Sequence, residues 1–180
     1  MNTRPKHILW LDMEMTGLDV SKDLVLEIAA IVTDWDFNEI ATFEGVVKNK
    51  TSDLMRRIKA NSVFWDANTD SRDALLKQNS SGKTIKQVQD EILAFIDRHF
   101  KTGEPVLMAG NSIHMDRRFI VKYLPKFDTK LHYRMLDVSA WKVVFDGKYK
   151  IKFAKPDAHR ALDDIRGSII ELQYYLTKIK

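Results

Sequence analysis

Apolar residues dominate three stretches near the start of the chain, residues 7–14, 24–34 and 40–48. Short apolar runs that are bounded by turn-forming residues are typical of β-strands. The links between these runs are short, and short links favour strands that pair with their sequence neighbours. The pattern therefore predicts an antiparallel meander of three strands.

A different periodicity follows, with apolar residues spaced three and four apart. Residues 52–78 are expected to be helical but irregular, whereas Thr84 to Phe100 has the pattern of a regular amphipathic helix. Thr84 and Gln87 have the spacing of a capping box, in which each side chain satisfies a backbone N–H at the start of the helix. The apolar stripe of this helix consists of Ile85, Val88, Ile92, Phe95, Ile96 and Phe100.

The second half of the chain mixes strands with helices. We predict a strand at Val106 to Ala109, a helix at Met115 to Leu124, a strand at 133–137 that leads into the helical segment VSAWKVVF, a surface loop at 146–157, and a last helix that runs from near Asp157 to the end of the chain. The buried seam of the last helix is expected to consist of Ile165, Ile169, Leu172, Leu176 and Ile179. This order predicts an α/β fold with a central mixed β-sheet flanked by helices.

Composition narrows the class of protein. A chain of 180 residues suits one compact domain, which we place at 1–180, and its hydrophobic fraction of 44% is ordinary for a globular protein. It has no cysteine, which excludes disulfides, zinc–thiolate sites and a thiol nucleophile. No apolar run approaches a membrane span, and the first strand begins too early to leave room for a secretory signal. We therefore expect a cytoplasmic protein that has no membrane partner.

Charge adds one further observation, because the chain is mildly basic with a formal net charge of +4. A basic surface attracts polyanions such as nucleic acid, although many cytosolic proteins share this feature.

Two acidic residues, Asp12 and Glu14, come directly after an apolar run. They lie two positions apart on a predicted strand, so both carboxylates face the same side. Adjacent carboxylates repel each other, whereas a hard divalent cation would bind them both. The sequence thus predicts a metal site that handles phosphate groups.

Two more acidic positions stand at predicted helix starts. Asp116 follows a short strand, and Asp164 lies near the start of the last helix, five residues after His159. An acid in the first helical turn commonly serves as a cap or complements the helix dipole, and a helical histidine is commonly structural. Each of these residues alone would therefore carry little weight.

Their combination resembles the DEDDh family of 3′→5′ exonucleases. The four acids of that family match Asp12, Glu14, Asp116 and Asp164, and its histidine matches His159. The segments WLDMEMTGLD, GNSIHMDRRF, YRMLDVS and HRALDD are similar, in the same order, to signature segments of the oligoribonuclease subfamily. This resemblance extends from residue 8 to the terminal helix, so chance similarity is a poor explanation.

The resemblance implies a ribonuclease H-like exonuclease fold and a site with two divalent cations, Mg²⁺ or Mn²⁺. Four carboxylates bring a charge of about −4, which two such cations would neutralise, and a pair of cations can stabilise both oxygens of an in-line phosphoryl displacement. His159 would be the general base, because an imidazole titrates near neutral pH. The spacing from the histidine selects Asp164, and it leaves Asp163 as a surface or supporting acid.

The resemblance also implies how a short substrate would bind. Leu18 matches a leucine that wedges between the two bases of a dinucleotide, and Trp65 best matches an aromatic residue that stacks on a base. A cap over the 5′ phosphate corresponds to Ser112, Tyr133, Arg134 and Ser139. Because the tyrosine and arginine of the family reach the site from the other subunit, the resemblance implies a homodimer that acts on short RNA oligonucleotides.

Three departures from the family pattern affect the substrate side of this hypothesis. His114 and Met115 stand where glycine and glutamine are usual, the segment DANTDSRDALL after Trp65 is divergent, and the loop 146–157 is short. The main alternative is a DEDDh exonuclease that trims the 3′ ends of longer RNA or DNA, which would need an open groove that the cap residues would block. A binding module without activity should lack one of the four acids or the histidine, and all five are present.

Overall fold

The computed structural model describes residues 5–154 and 160–179, and its centre is a five-stranded sheet. The strands are β1 (Ile8–Met15), β2 (Val25–Thr33), β3 (Glu39–Val46), β4 (Val106–Gly110) and β5 (Leu131–Asp137), in the order β3-β2-β1-β4-β5. β1, β2 and β3 pair antiparallel, whereas β4 runs parallel to both β1 and β5. The predicted meander and the predicted mixed sheet are both confirmed.

Helices cover the two faces of this sheet. They are α1 (Thr51–Ala60), α2 (Ser62–Ala67), α3 (Thr69–Gln78), α4 (Ile85–His99), α5 (His114–Tyr123), α6 (Pro125–Asp128), α7 (Val138–Val144) and α8 (Ala161–Leu176). The irregular helical region predicted at 52–78 is thus three short helices. The capping box of α4 is present, since the Thr84 hydroxyl accepts from the Gln87 N–H and the Gln87 side chain accepts from the Thr84 N–H.

The alternation of β1 divides its side chains between two cores. Leu9, Leu11 and Met13 pack in the cluster that includes residues of α4 and α5, whereas Ile8 and Trp10 pack in the cluster that includes residues of α8. Because every second residue of a strand faces the same side, positions 12 and 14 continue the face covered by α8. The strand therefore directs both carboxylates toward the start of α8.

The predicted ends of two elements need correction. The last helix begins at Ala161, because Arg160 has an extended backbone, and Asp157 lies outside the described residues. Leu176 and Ile179 are 38% and 54% exposed, so the prediction that they are buried is wrong. Tyr175 faces the core instead, and the helix ends at Leu176.

The segment predicted as a surface loop, 146–157, overlaps a π-helical turn, Phe145–Tyr149, that continues α7.

The helices of the described part of the chain are all too short or too polar to cross a membrane.

Candidate active site

Three carboxylates converge where β1 meets the first turn of α8. Asp12 and Glu14 come from the strand and Asp164 comes from the helix, and one oxygen of each lies within 4.8 Å of the others. The helix is held against β1 and β2 by Ile165 and Ile169, which are buried in the apolar cluster beneath it. An apolar interface thus fixes the position of the third carboxylate relative to the first two.

Asp116 joins this group from the other side of the sheet edge. Because β4 is parallel to β1, the carboxyl ends of both strands meet at the same edge, and the link after β4 leads into α5 with Asp116 in its first turn. Its carboxylate is buried and accepts hydrogen bonds from the backbone N–H groups of Met13 and Asp116 itself. Burial raises the pKa of Asp116 well above its usual range, and repulsion from Asp12 adds to the shift.

The same crowding affects Glu14. Burial, followed by the charges of Asp12 and Asp164, raises the pKa of the Glu14 carboxyl from 4.5 to about 8. The fold thus holds these carboxyl groups so close together that their full ionisation near neutral pH is unfavourable. Mg²⁺ and Mn²⁺ prefer such carboxylate ligands and would offset the repulsion, so these residues fit the divalent cations that the sequence predicts.

We expect Mg²⁺ to stabilise the fold more strongly at pH 8.5 than at pH 6. Because the pKa of Glu14 is raised in the folded protein, the folded state holds a proton between about pH 4.5 and 8 that the unfolded chain has released. Stability without metal therefore falls as pH rises through this window, and at pH 6 a cation must displace that proton. Thermal melts with 10 mM Mg²⁺ or EDTA check this expectation.

An Asp12→Asn variant is the control for these melts, since it removes a ligand and should reduce the Mg²⁺-dependent rise in Tm at both pH values. Equal rises at the two pH values in the unmodified protein would contradict the proposed competition between proton and metal.

A fifth acid beside the cluster was not predicted. Glu27 lies directly opposite Glu14 on β2, is buried, and accepts a hydrogen bond of 2.6 Å from Gln78 Nε2. Arg160 approaches the same Glu27 oxygen at 3.4 Å from the residue just before α8. The signal was available in the sequence, because Glu27 is the single charged residue of the apolar strand Val25–Thr33.

The predicted general base lies outside the described residues. In the sequence His159 immediately precedes Arg160, the residue before α8. Asp163, the adjacent acid, points outward and lies 3.9 Å from the Arg166 guanidinium, with most of its side chain exposed. The structure thus places Asp164, and not Asp163, in the carboxylate cluster.

Two of the predicted cap residues are in contact. The Ser112 and Ser139 hydroxyls lie 2.9 Å apart, and the Asp137 carboxylate accepts hydrogen bonds from the backbone N–H groups of both serines. Ser112 has a positive φ of 51°, which turns its N–H toward this carboxylate. Ser139 also donates to the Asn111 side chain. Asp137 therefore joins the ends of β4 and β5, a role that was not predicted.

The other two predicted cap residues lie on the exposed edge strand. Tyr133 is 76% exposed, its ring stacks on His132 with centroids 4.5 Å apart, and the Arg134 guanidinium lies 5.3 Å from the same ring. β5 is the last strand of the sheet, so this edge has no neighbouring strand within the described chain. Tyr133 and Arg134 are thus presented to solvent.

The predicted substrate contacts at Leu18 and Trp65 have different outcomes. Leu18 is 64% exposed in the link between β1 and β2 and can contact a ligand. Trp65 is 1% exposed, packs with Leu26 and Leu54, and donates from its indole N–H to the Thr16 carbonyl at 2.9 Å. The prediction that Trp65 stacks on a base is therefore wrong in this structure, because neither face of its ring is open.

Comparison with known proteins shows the family of this chain. The family model described as exonuclease matches residues 9–172. An oligoribonuclease from Francisella tularensis subsp. tularensis (strain WY96-3418) is 40% identical over 96% of both chains. The oligoribonuclease of Corynebacterium glutamicum (strain R) is 37% identical over 96% of this chain and 79% of its own length.

Solved structures give the same fold at much lower identity. Exonuclease I from Methylocaldum szegediense superposes with a TM-score of 0.67 at 14% identity, and E. coli exonuclease I in complex with a dA13 oligonucleotide superposes with a TM-score of 0.62 at 14% identity. These matches cover 97% and 96% of this chain but only 41% and 40% of the exonuclease I chains. This chain therefore spans about two fifths of the length of those structures, and the likeness concerns the fold.

The acids that the sequence pattern singled out lie at one edge of an exonuclease-type sheet, and relatives at 37–40% identity match the chain over nearly its full length. The chain therefore belongs to the exonuclease family and, within it, to the oligoribonucleases, which makes it a 3′→5′ exoribonuclease.

Proposed function

We propose that this chain hydrolyses short oligoribonucleotides, dinucleotides above all, to 5′-mononucleotides, with the help of two divalent cations. The observation that carries the proposal is the carboxylate cluster, in which Asp12, Glu14 and Asp164 oxygens lie within 4.8 Å of one another. Asp116 completes the donor set from its buried position. The proposal includes a cytoplasmic location, where RNA fragments are produced.

The chemistry follows from the residues in this cluster. The four acids would hold the cations, which when bound stabilise the charge on the attacking and leaving oxygens. His159 accepts the proton of the attacking water as the new bond to phosphorus forms. The bond from phosphorus to the 3′ oxygen of the penultimate nucleotide then breaks, and that oxygen takes a proton from solvent. The product is a 5′-mononucleotide.

Leu18 is well placed to separate the two bases of a dinucleotide. It projects from the link between β1 and β2, only four residues beyond the Glu14 carboxylate, and its side chain is largely exposed. An exposed leucine at this distance offers an apolar surface to a base that lies next to the scissile phosphate. We assign it the role of the wedge.

Phe64, rather than Trp65, is the aromatic residue that α2 offers to a base. The helix lies beside the Leu18 link, because the Trp65 indole and the Asn61 amide both donate to the Thr16 carbonyl. Phe64 stands three residues after Asn61, a spacing that places both on the same side of a helix, and it is 51% exposed.

A Phe64→Ala variant should therefore raise KM for a dinucleotide about tenfold, since loss of base stacking costs about 1–3 kcal/mol. Phe64→Trp should restore the affinity, and Val63→Ala, at an exposed neighbouring position, should leave KM unchanged. Steady-state kinetics on pApG with Mn²⁺ would check this, and an unchanged KM for Phe64→Ala would remove Phe64 from the site.

The cap proposal concerns the 5′ end of the substrate. The contact between Ser112 and Ser139 brings two hydroxyls together at the carboxyl edge of the sheet, and Tyr133 and Arg134 lie exposed on β5. In our proposal a second copy of the chain supplies Tyr133 and Arg134 to this site. An arginine and hydroxyl groups suit a terminal phosphate, which carries more charge than a diester.

Substrate length tests this proposed function directly. We expect 5′-labelled pApG to be cleaved much faster than a labelled RNA of about twenty residues, with activity in Mn²⁺ and none in EDTA, because a cap closes the site behind a second nucleotide. A time course of both substrates measures this. Efficient shortening of the long RNA that leaves dinucleotides behind would support the alternative, an exonuclease that trims longer 3′ ends.

A further inference from the structure

We propose that Asp23 is a positioning residue for the substrate, because its buried carboxylate fixes the link that presents Leu18 to the bases. The inference rests on the role proposed above for Leu18. It extends that role to a residue that has no contact with the predicted ligand, and it predicts an effect on dinucleotide binding rather than on the chemical step.

The Asp23 carboxylate is the centre of a dense hydrogen-bond network. Its side chain is 1% exposed, and Oδ1 accepts from Arg57 Nε at 3.0 Å, Arg57 Nη2 at 2.8 Å and the Thr16 hydroxyl at 2.9 Å. Asn61 Nδ2 lies 3.1 Å from the same oxygen, while Oδ2 accepts from the Asp19 N–H at 2.9 Å. A charged acceptor with this many donors is rigidly placed.

These partners surround Leu18 in the sequence. Thr16 and Asp19 stand on either side of Gly17 and Leu18, and both bond to the one carboxylate. The base of the link is closed as well, since Thr16 N donates to the Leu24 carbonyl and Leu24 N donates to the Thr16 hydroxyl, each at 2.9 Å. Leu18 is therefore held at its two flanks while its own side chain projects into solvent.

Gly17 shows how closely the network lies beneath the link. A Cβ atom added at this position would lie 2.5 Å from Asn61 Nδ2 and 2.6 Å from Asp23 Oδ2, both far inside van der Waals contact. Any side chain here would displace either the link or the network below it. Gly17→Ala thus tests whether the Asp23 network positions the link, without altering a charge.

The network also connects the link to the helix that carries a catalytic acid. The Tyr123 hydroxyl donates to the Asp23 carbonyl at 2.7 Å, and Lys122 Nζ donates to the Val20 carbonyl at 2.5 Å. Both residues lie in the last turn of α5, whose first turn carries Asp116. The helix α5 therefore supports the Leu18 link from the end opposite to Asp116.

The test compares a substrate that has two bases, which Leu18 could separate, with a substrate that has only one base. 5′-pApG has two bases for the wedge to separate, whereas the p-nitrophenyl ester of thymidine 5′-monophosphate has one base and is a phosphodiester whose hydrolysis likewise releases a 5′-mononucleotide. For Asp23→Asn and for Gly17→Ala we expect KM for pApG to rise about tenfold, with kcat on both substrates and KM for the ester nearly unchanged. Asp34→Asn is the matched control, because Asp34 also accepts two backbone N–H groups in a turn but is only half-buried and lies at the start of the β2–β3 link.

Leu18→Ala separates failure of this inference from failure of the proposed function. If Leu18→Ala raises KM for pApG while folded Asp23→Asn and Gly17→Ala proteins do not, the positioning role is wrong and the wedge stands. If Leu18→Ala itself leaves KM unchanged, the wedge is wrong and this inference with it. A loss of kcat that is equal on both substrates in Asp23→Asn would show a role in the fold alone and would overturn the proposal.

Discussion

Replacing Asp116 by asparagine should lower kcat on pApG by about 10³-fold, because in the proposed mechanism the variant would lose one charged ligand of a cation that would stabilise the transition state by several kcal/mol. Asparagine has nearly the same shape, so the buried position and the hydrogen bonds from the Met13 and Asp116 N–H groups can persist. The neutral side chain also relieves the repulsion from Asp12 that helps raise the pKa of Asp116. We therefore expect a folded and inactive protein that is at least as stable as the unmodified chain in EDTA.

Asp163→Asn is the matched control for this loss. Asp163 carries the same charge in the same helical turn as Asp164, but it is exposed beside Arg166. Its replacement should change kcat by less than a factor of about two, since surface charges contribute little. Single-turnover kinetics with Mn²⁺, together with the Mg²⁺-dependent rise in Tm, measure both variants. Activity of Asp116→Asn close to that of the unmodified protein would remove Asp116 from the proposed metal site.

Replacing Arg134 by alanine should raise KM for 5′-phosphorylated pApG about 30-fold, because a charge-assisted hydrogen bond to phosphate contributes about 2 kcal/mol. The effect should be much smaller on ApG, which has no 5′ phosphate for the guanidinium to bind. The exposed position of Arg134 on β5 argues against a general loss of stability. Kinetics on the pair pApG and ApG check the expectation, and Arg118→Ala provides a control at another exposed arginine.

Mixing two inactive or weakened variants tests whether Arg134 acts from a second copy of the chain. In a mixed dimer of Arg134→Ala and Asp116→Asn, one site would combine an intact carboxylate cluster with an intact arginine from the other subunit. Co-expression with two affinity tags should yield a mixed species with more activity on pApG than either parent. Activity no greater than the sum of the parents would place Arg134 in the site of its own chain, or outside any site.

The parts of this structure that sequence could predict are those that depend on local periodicity. Strand alternation predicted that Asp12 and Glu14 lie on the same face of β1, and the Thr84 and Gln87 capping pair predicted the start of α4. Tertiary partners decided the rest. Trp65 was assigned to the ligand by its resemblance to the family's stacking aromatic residue, whereas its indole in fact donates to a carbonyl of the β1–β2 link.

Residues that support the site were also beyond the reach of sequence patterns. Asp23 acquires its role from Arg57, 34 positions away, and Asp137 acquires its role from the backbone N–H groups of Ser112, after β4, and Ser139, in the first turn of α7. Glu27 could have been noticed as a charge in an apolar strand, but its partners Gln78 and Arg160 come from distant parts of the chain. Such residues look like ordinary surface or strand positions until the fold brings their partners to them.

The central position of β1 has a consequence for how the enzyme would lose activity on heating. Its backbone is bonded on both edges, to β2 and to β4, whereas Asp164 stands in the first turn of a helix whose capping residue, Arg160, makes no side-chain cap bond. Helix ends open with little free energy, while central strands open only with the whole domain. The cluster therefore joins a central strand to the end of a helix, and we expect heat inactivation to begin at that helix end while the sheet is still intact.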